Sequence, residues 1–265
     1  MEINIINILA YFLIYSFIGW ILESVLKTIL EKKFVNSGFL YGPFCPIYGI
    51  GAIIMYLGLG EFKESPILVF ILGFLILSIW EYIVGWGLEK VFNTKYWDYS
   101  QNKFNIKGRV CLLNSLIWGI LGIIFTYIVH PFIESKITQI PEGIILYILI
   151  VVYTYLIIDA TISIIKIRNI TIKVEKIREI GETIKEKLEK LEELKKIGEG
   201  AKQSNLESLQ TIINDLKLKQ KKLRLKLYKH VYRLKRAFPT MKSEVISQIL
   251  NDKIKILKRK RKTKE

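Results

Sequence analysis

Asn36-Ser-Gly-Phe-Leu-Tyr-Gly-Pro-Phe-Cys-Pro-Ile-Tyr-Gly-Ile-Gly51 puts two prolines and four glycines into a stretch that carries no charge over residues 38–60. Each proline removes a backbone donor and pushes the residue before it out of the helical region. The segment is therefore expected to be extended or broken through Pro46 and helical only beyond it. Broken backbone at membrane depth persists only where protein buries it or a watery cavity meets it. A helix starting at Pro46 would turn its free N–H groups and positive dipole end toward whatever fills that space. The plainer reading is a lead-in loop followed by a short span rich in small residues.

Apolar runs flank this segment on both sides. Residues 4–26 are long enough to cross a hydrocarbon core of about 30 Å. The run is preceded by Glu2 rather than a basic region, exceeds a signal core in length and lacks a small-x-small cleavage site, so a removable signal peptide is not expected. Further runs at about 44–60, 66–88, 110–132 and 143–165 make five spans, with the second the shortest. Lysine and arginine in the short loops set the orientation. Lys27, Lys32, Lys33, Lys90, Lys95, Lys103, Lys107 and Arg109 fall on one side, and Lys63 and Lys136 on the other. The expected topology has the N-terminus outside and a cytoplasmic tail, as a multi-pass protein of the cell membrane. Cys45 and Cys111 then lie near the cytoplasmic surface, where thiols stay reduced.

Charge divides the chain. Residues 1–165 hold 10 Lys+Arg and 11 Asp+Glu, a net of −1, whereas residues 166–265 hold 30 and 13, a net of +17. Such a split assigns two environments to one chain. The expected fold class is all-α, a polytopic membrane protein of about five transmembrane helices followed by a basic cytoplasmic helical hairpin or coiled coil. The expected domains are a transmembrane domain over 1–165, a hairpin over 166–238 and a basic amphipathic segment and tail over 239–265.

Within the tail, Ile170, Val174, Ile177, Ile180, Ile184, Leu188, Leu191, Leu194 and Ile197 recur at spacings of three and four. Gly198 and Gly200 stop that pattern, and Ser204 with Glu207 forms a capping box for a second helix. Leu206, Leu209, Ile213, Leu216, Leu223, Leu227, Val231 and Leu234 continue the stripe, which predicts an antiparallel pair. Residues 217–236 carry ten basic side chains and no acidic one. Pro239 breaks the helix, an amphipathic segment follows at about 243–257, and 258–264 is a basic end. Basic helices beside a membrane are drawn to anionic lipid head groups. Nucleic acid is not an expected partner, because no recognisable binding module surrounds these lysines.

Three acids lie inside apolar runs, where a carboxylate is costly and usually functional or paired: Glu23, Glu81 and Asp159. Helical spacing puts Trp20 on the face of Glu23, aligns Glu81, Gly85 and Glu89, and aligns Tyr155, Asp159 and Ser163. Asn114 and Trp118 make one face of the fourth span polar. These helices can aim their carboxylates into one inner cavity with Arg109 at its rim. The broken segment would contribute Gly42, Pro43, Cys45, Pro46 and Tyr48, and the aromatic connector Trp97, Asp98 and Asn105. The alternative is that the acids serve helix packing, bonded to arginine, tryptophan and tyrosine donors.

The same residues carry a resemblance. Gly-Trp-Ile-Leu-Glu at 19–23, the glycine-proline block at 36–49, and the block from Trp-Asp-Tyr-Ser at 97–100 through Phe-Asn-Ile-Lys-Gly-Arg-Val-Cys-Leu at 104–112 resemble the family known as "putative type IV ABC-transporter permease", over about 5–165. The resemblance implies an integral membrane protein with a transport-related role. The chain has no Gly-x-x-x-x-Gly-Lys-Ser/Thr phosphate loop, so an ATP-driven cycle would need a separate ATPase subunit.

Three functions compete on these residues. The first is a permease-type subunit with a polar cavity in the cytoplasmic half of the bundle; five spans are few for a whole path, which implies a homo- or hetero-oligomer. The second is a membrane-anchored scaffold or regulator acting through its basic tail. The third, a membrane-embedded enzyme, has little behind it: His130 and His230 are the only histidines, no Ser/His/Asp set or metal-ligand spacing occurs, and Cys45 lacks a nearby base. No catalytic residue, cofactor or metal is expected.

Overall fold

The computed structural model describes residues 4–92, 94–196, 203–242, 246 and 249–251. Helices dominate them, with no strand among the described residues beyond isolated bridge residues such as the Ile106–Val110 pair. The chain forms two compact units, one of Met1–Ile165 with Lys235–Met241, the other of Lys166–Leu234 with Lys242–Glu265.

In the first unit, α1 spans Ile5–Glu31; Asn4 caps it by accepting from the Ile6 N–H at 2.9 Å, and Lys32 ends it in the left-handed region at φ 52°. The segment after it is irregular until Pro46, which occupies the first turn of α2, Pro46–Leu59. Proline is suited there, since the first helical N–H groups have no intrahelical partner. At 14 residues α2 is about 21 Å long, at about 1.5 Å per residue. A 3₁₀ turn, Gly60–Phe62, extends it. Helix α3 runs over Pro66–Phe92. The fourth apolar run is expected to end at 132, but the structure continues to Ile137: α4, Leu112–Ile124, passes through a π turn, Phe125–Val129, into α5, His130–Ile137. Helix α6 is a single rod, Glu142–Lys196, without a break where the hydropathy falls. Four helical segments are long and apolar enough to cross a membrane, and α2 is a shorter apolar helix beside them.

The core of this unit has two centres. Tyr11 and Tyr15 of α1 meet Ala52, Met55 and Leu59 of α2, Val69 and Leu77 of α3, and Phe125. Ala10 and Leu13 of α1 meet Leu40 and the face Ile145, Leu149 and Leu156 of α6. The close approach of α3 and α4 rests on small residues: a Cβ on Gly73 would lie 3.4 Å from the Gly122 Cα.

In the second unit, α6 pairs with α7, Gln203–Ala237. Ile180, Ile184, Leu191 and Ile213 are buried together with Leu188, Leu206, Leu209, Leu216 and Leu223 against them. Gln220 Nε2 donates to the Ile177 carbonyl at 2.9 Å, which sets the two helices antiparallel. The expected stop at 198–200, the Ser204 side chain of the capping box, most of the 243–257 segment and the basic end 258–264 lie outside the described residues.

Candidate functional site

The broken segment is tied down by the intramembrane acids. Asp159 of α6 accepts from the backbone N–H of Gly42 at 2.7 Å and of Tyr41 at 3.2 Å, and from Ser163 Oγ, one turn on, at 3.3 Å. The carboxylate thus satisfies two backbone N–H groups that this non-helical segment leaves without a helix partner. The Cys45 N–H donates to the Ser16 carbonyl at 2.9 Å, and the Cys45 thiol is buried beside Ser37. Gly42 is required by space as well as by its N–H: a Cβ there would run into the Tyr155 hydroxyl and Asp159 Oδ2.

Glu23 of α1 meets the other end of the segment. It accepts from the Tyr48 hydroxyl at 2.6 Å and from Ser37 Oγ at 3.4 Å, and pairs with Lys27 at 2.5 Å, one helical turn on. Lys27 also donates to Ser37 Oγ at 2.7 Å. Trp20 lies on the same face but bonds elsewhere: its Nε1 donates to Asn36 Oδ1 at 2.7 Å, and Asn36 Nδ2 in turn donates to the Tyr41 carbonyl at 2.6 Å.

Glu81 is only 6 % exposed in the middle of α3. It accepts from the Tyr99 hydroxyl at 3.1 Å and from Trp118 Nε1 at 3.0 Å, and Asn114 is a third donor. The alignment of 81, 85 and 89 has a plain structural meaning. Tyr99 reaches Glu81, the Trp97 ring lies over Gly85, and Arg109 reaches Glu89, so one helical stripe receives the folded connector 94–111. Burial, and then Glu81, push the Tyr99 hydroxyl well above its ordinary range, so it stays a donor.

Arg109 belongs to the α3 side of this arrangement rather than to Glu23 or Glu81. It donates to Glu89 Oε2 from Nη2 at 2.7 Å and from Nε at 3.0 Å, and to the Tyr82 hydroxyl at 3.0 Å. The bonds to Glu89 raise its pKa further, so it is always charged. Its carbonyl accepts from Trp97 Nε1 at 2.9 Å. Asp98 and Asn105 shape the connector: Asp98 accepts from the Ser100 N–H and hydroxyl, and Asn105 donates to the Asn102 carbonyl and accepts from the Gly108 N–H.

The structure therefore brings Glu23 and Glu81 together through aromatic side chains. The Tyr48 ring, bonded to Glu23, packs 6.1 Å from the Trp118 ring, bonded to Glu81. Asp159 holds the segment from α6, and Arg109 with Glu89 forms a separate pair at the connector. Lys27, Ser37, Tyr82 and Tyr99 complete the layer beyond the candidate residues expected from the sequence. Lys27 alone had a readable signal, its i+4 spacing from Glu23. Among the described residues no group of three His, Cys, Asp or Glu could hold a metal ion.

No curated protein and no solved structure matches the chain. A family model does, over residues 10–164, the part that holds every acid and aromatic of the layer just described. The chain belongs to that family, which is described as Putative ABC-transporter type IV, and is accordingly an ABC-transporter-related membrane protein.

Proposed function

We propose that the chain is the permease-type, membrane-embedded subunit of a transport assembly whose ATPase is a separate polypeptide. The layer around Glu23 and Glu81 is where a solute or ion is handled. The observation that supports this most is the linkage Glu23–Tyr48–Trp118–Glu81 inside the helical unit. A carboxylate within a membrane protein is costly and marks ion, proton or substrate pathways by default. Helix contact does not require it here, since the α3–α4 contact is already made by glycines. The groups bonded to Glu81 are neutral, so a cation or cationic group arriving there would meet a carboxyl group held by neutral hydrogen-bond donors. In this reading the chain is not itself an enzyme and completes its path with a second copy or a partner. The N-terminus lies outside, and the polar layer opens toward the cytoplasm.

Purification of the whole chain in mild detergent, with identification of what accompanies it, tests the proposal. A nucleotide-hydrolysing subunit is expected, and its ATPase rate should lose its response to the partner chain when Glu81→Gln is introduced. Repeated purification without any ATPase overturns the reading. It would favour the second one, a membrane-held scaffold, which rests on the hairpin having an apolar core of its own around Ile184 and Ile213. Under the scaffold reading, loss of the hairpin abolishes function and Glu81→Gln does not.

A further inference from the structure

Helix α7 ends at Ala237 because Pro239 cannot continue it, and Lys235–Met241 belongs to the membrane unit. Several anchors hold this segment, among them the Thr240 hydroxyl, which accepts from the Asp98 N–H at 3.4 Å. Arg236 donates from Nε to Glu31 Oε2 at 2.8 Å, and from Nη2 to the Lys33 and Phe34 carbonyls at 3.1 Å each. The Ala237 carbonyl accepts from Lys27 Nζ at 2.6 Å, and Ala237 is wholly buried. Phe238 stands edge-on to Tyr96 at 4.9 Å, with the Lys27 ammonium 5.5 Å from its ring centre.

Lys27 is the same ammonium that pairs with Glu23 and donates to Ser37, so the segment covers the layer at its Lys27–Ser37 end, where Ser37 is wholly buried. We propose that Lys235–Met241 is an autoinhibitory clasp, closing the Lys27–Ser37 end of the layer to water and opening when Arg236 leaves Glu31. The proposal rests on the reading of the layer as the transport site. The chemistry of the anchors favours release. The Arg236 and Glu31 side chains keep 22 % and 35 % of their surface exposed, and partly exposed ion pairs hold weakly and yield to competing ions. The Lys27–Ala237 bond ends on a carbonyl, which an ammonium exchanges for water without stranding a charge. Removal of the clasp leaves Lys27 with Glu23 and Ser37 as partners, now reachable from solution.

The test reads water access rather than transport, so its failure is separable from failure of the transport reading. The full chain carries Ser37→Cys in a Cys45→Ala, Cys111→Ser background, and its thiol is labelled with a membrane-impermeant maleimide in detergent. Glu31→Arg and Arg236→Glu, each alone, should raise the labelling rate several-fold. The two together, which restore an opposite-charge pair but not the bonds to the Lys33 and Phe34 carbonyls, should return it part of the way to the starting rate. In chains with native Ser37, hydrogen exchange of the Ser37 amide, which donates to Ser24 Oγ at 3.1 Å, should accelerate in the single variants and recover in the double. Unchanged labelling and exchange in both single variants would overturn the clasp. So would acceleration that the double variant does not reduce at all, because the change would then come from disruption of the unit rather than from a broken pair.

Discussion

Two of the buried acids differ in what their partners can do once the charge is removed. Around Glu81, Trp118 Nε1 can only donate, but the Tyr99 hydroxyl can turn and accept. Glu81→Gln can therefore place its oxygen on Trp118 and its NH₂ on Tyr99, keeping the fold while losing the charge. Around Asp159 both main partners are backbone N–H groups, of Gly42 and Tyr41, which cannot reverse. Asp159→Asn must turn its NH₂ toward one of them, at about 1–3 kcal/mol for the unmade bond. Thermal unfolding should thus be nearly unchanged in Glu81→Gln, clearly lower in Asp159→Asn, and lower again in Glu81→Leu, which strands Tyr99, Trp118 and Asn114. Equal melting of the two amide variants would refute this account of the layer. The acids themselves were legible in the sequence because charge inside an apolar run stands out. Their partners were legible only where spacing is local, as for Lys27 four residues after Glu23. Tyr41 and Gly42 lie more than a hundred positions from Asp159, and no periodicity reports such a pair.

Elements show the same division between local and distant information. The break before Pro46 and the start of α2 follow from proline chemistry and are found where the residues put them. The π turn was not legible. Pro131 in an apolar helix suggests a stop nearby, yet the helix continues to Ile137. The wide turn at Phe125–Val129 comes just before the proline and moves the preceding carbonyls away from its ring. The folding of connector 94–111 onto one stripe of α3 was likewise hidden, although the stripe was visible. Glycines along these elements give a sharp contrast. Gly42→Ala drives a methyl group against Tyr155 and Asp159, and should destabilise by about 1–3 kcal/mol and expose the broken segment to protease. Gly87→Ala, in α3 with open space around its Cβ position, should instead stabilise the helix by about 0.5–1 kcal/mol. Opposite signs in a thermal-stability assay are the expected result, and a fall in both would show that helix entropy is not what Gly87 contributes.

At the scale of the whole molecule, the charge split between residues 1–165 and 166–265 makes two separable predictions. The first is topology. Exposed positions Lys33 and Gln101, replaced by cysteine, should label from the cytoplasmic side and Ser135→Cys from the outside. Labelling of Lys33→Cys and Ser135→Cys from one side would sink the orientation. The second concerns the hairpin. Its core residues around Ile184 and Ile213 are turned inward, while α7 presents a groove lined by Lys219, Lys222 and Lys226 with Leu218, Leu223 and Asp215. Residues 217–236 hold ten basic side chains and no acid, and an external anion relieves the mutual repulsion of the exposed Lys219, Lys222 and Lys226. An anionic lipid surface offers many at once, at about 1 kcal/mol for each lysine or arginine near it. A fragment of residues 166–234 should be helical and should sediment with vesicles rich in acidic lipid but not with zwitterionic ones. Replacement of Lys219, Lys222 and Lys226 by glutamine should weaken sedimentation by roughly a hundredfold, from about 3 kcal/mol in all. Added salt should weaken it in the same direction, because exposed charges are screened within about 10 Å at 0.1 M. Equal binding to both kinds of vesicle, or binding indifferent to salt, would mean that the apolar residues rather than the lysines make the contact.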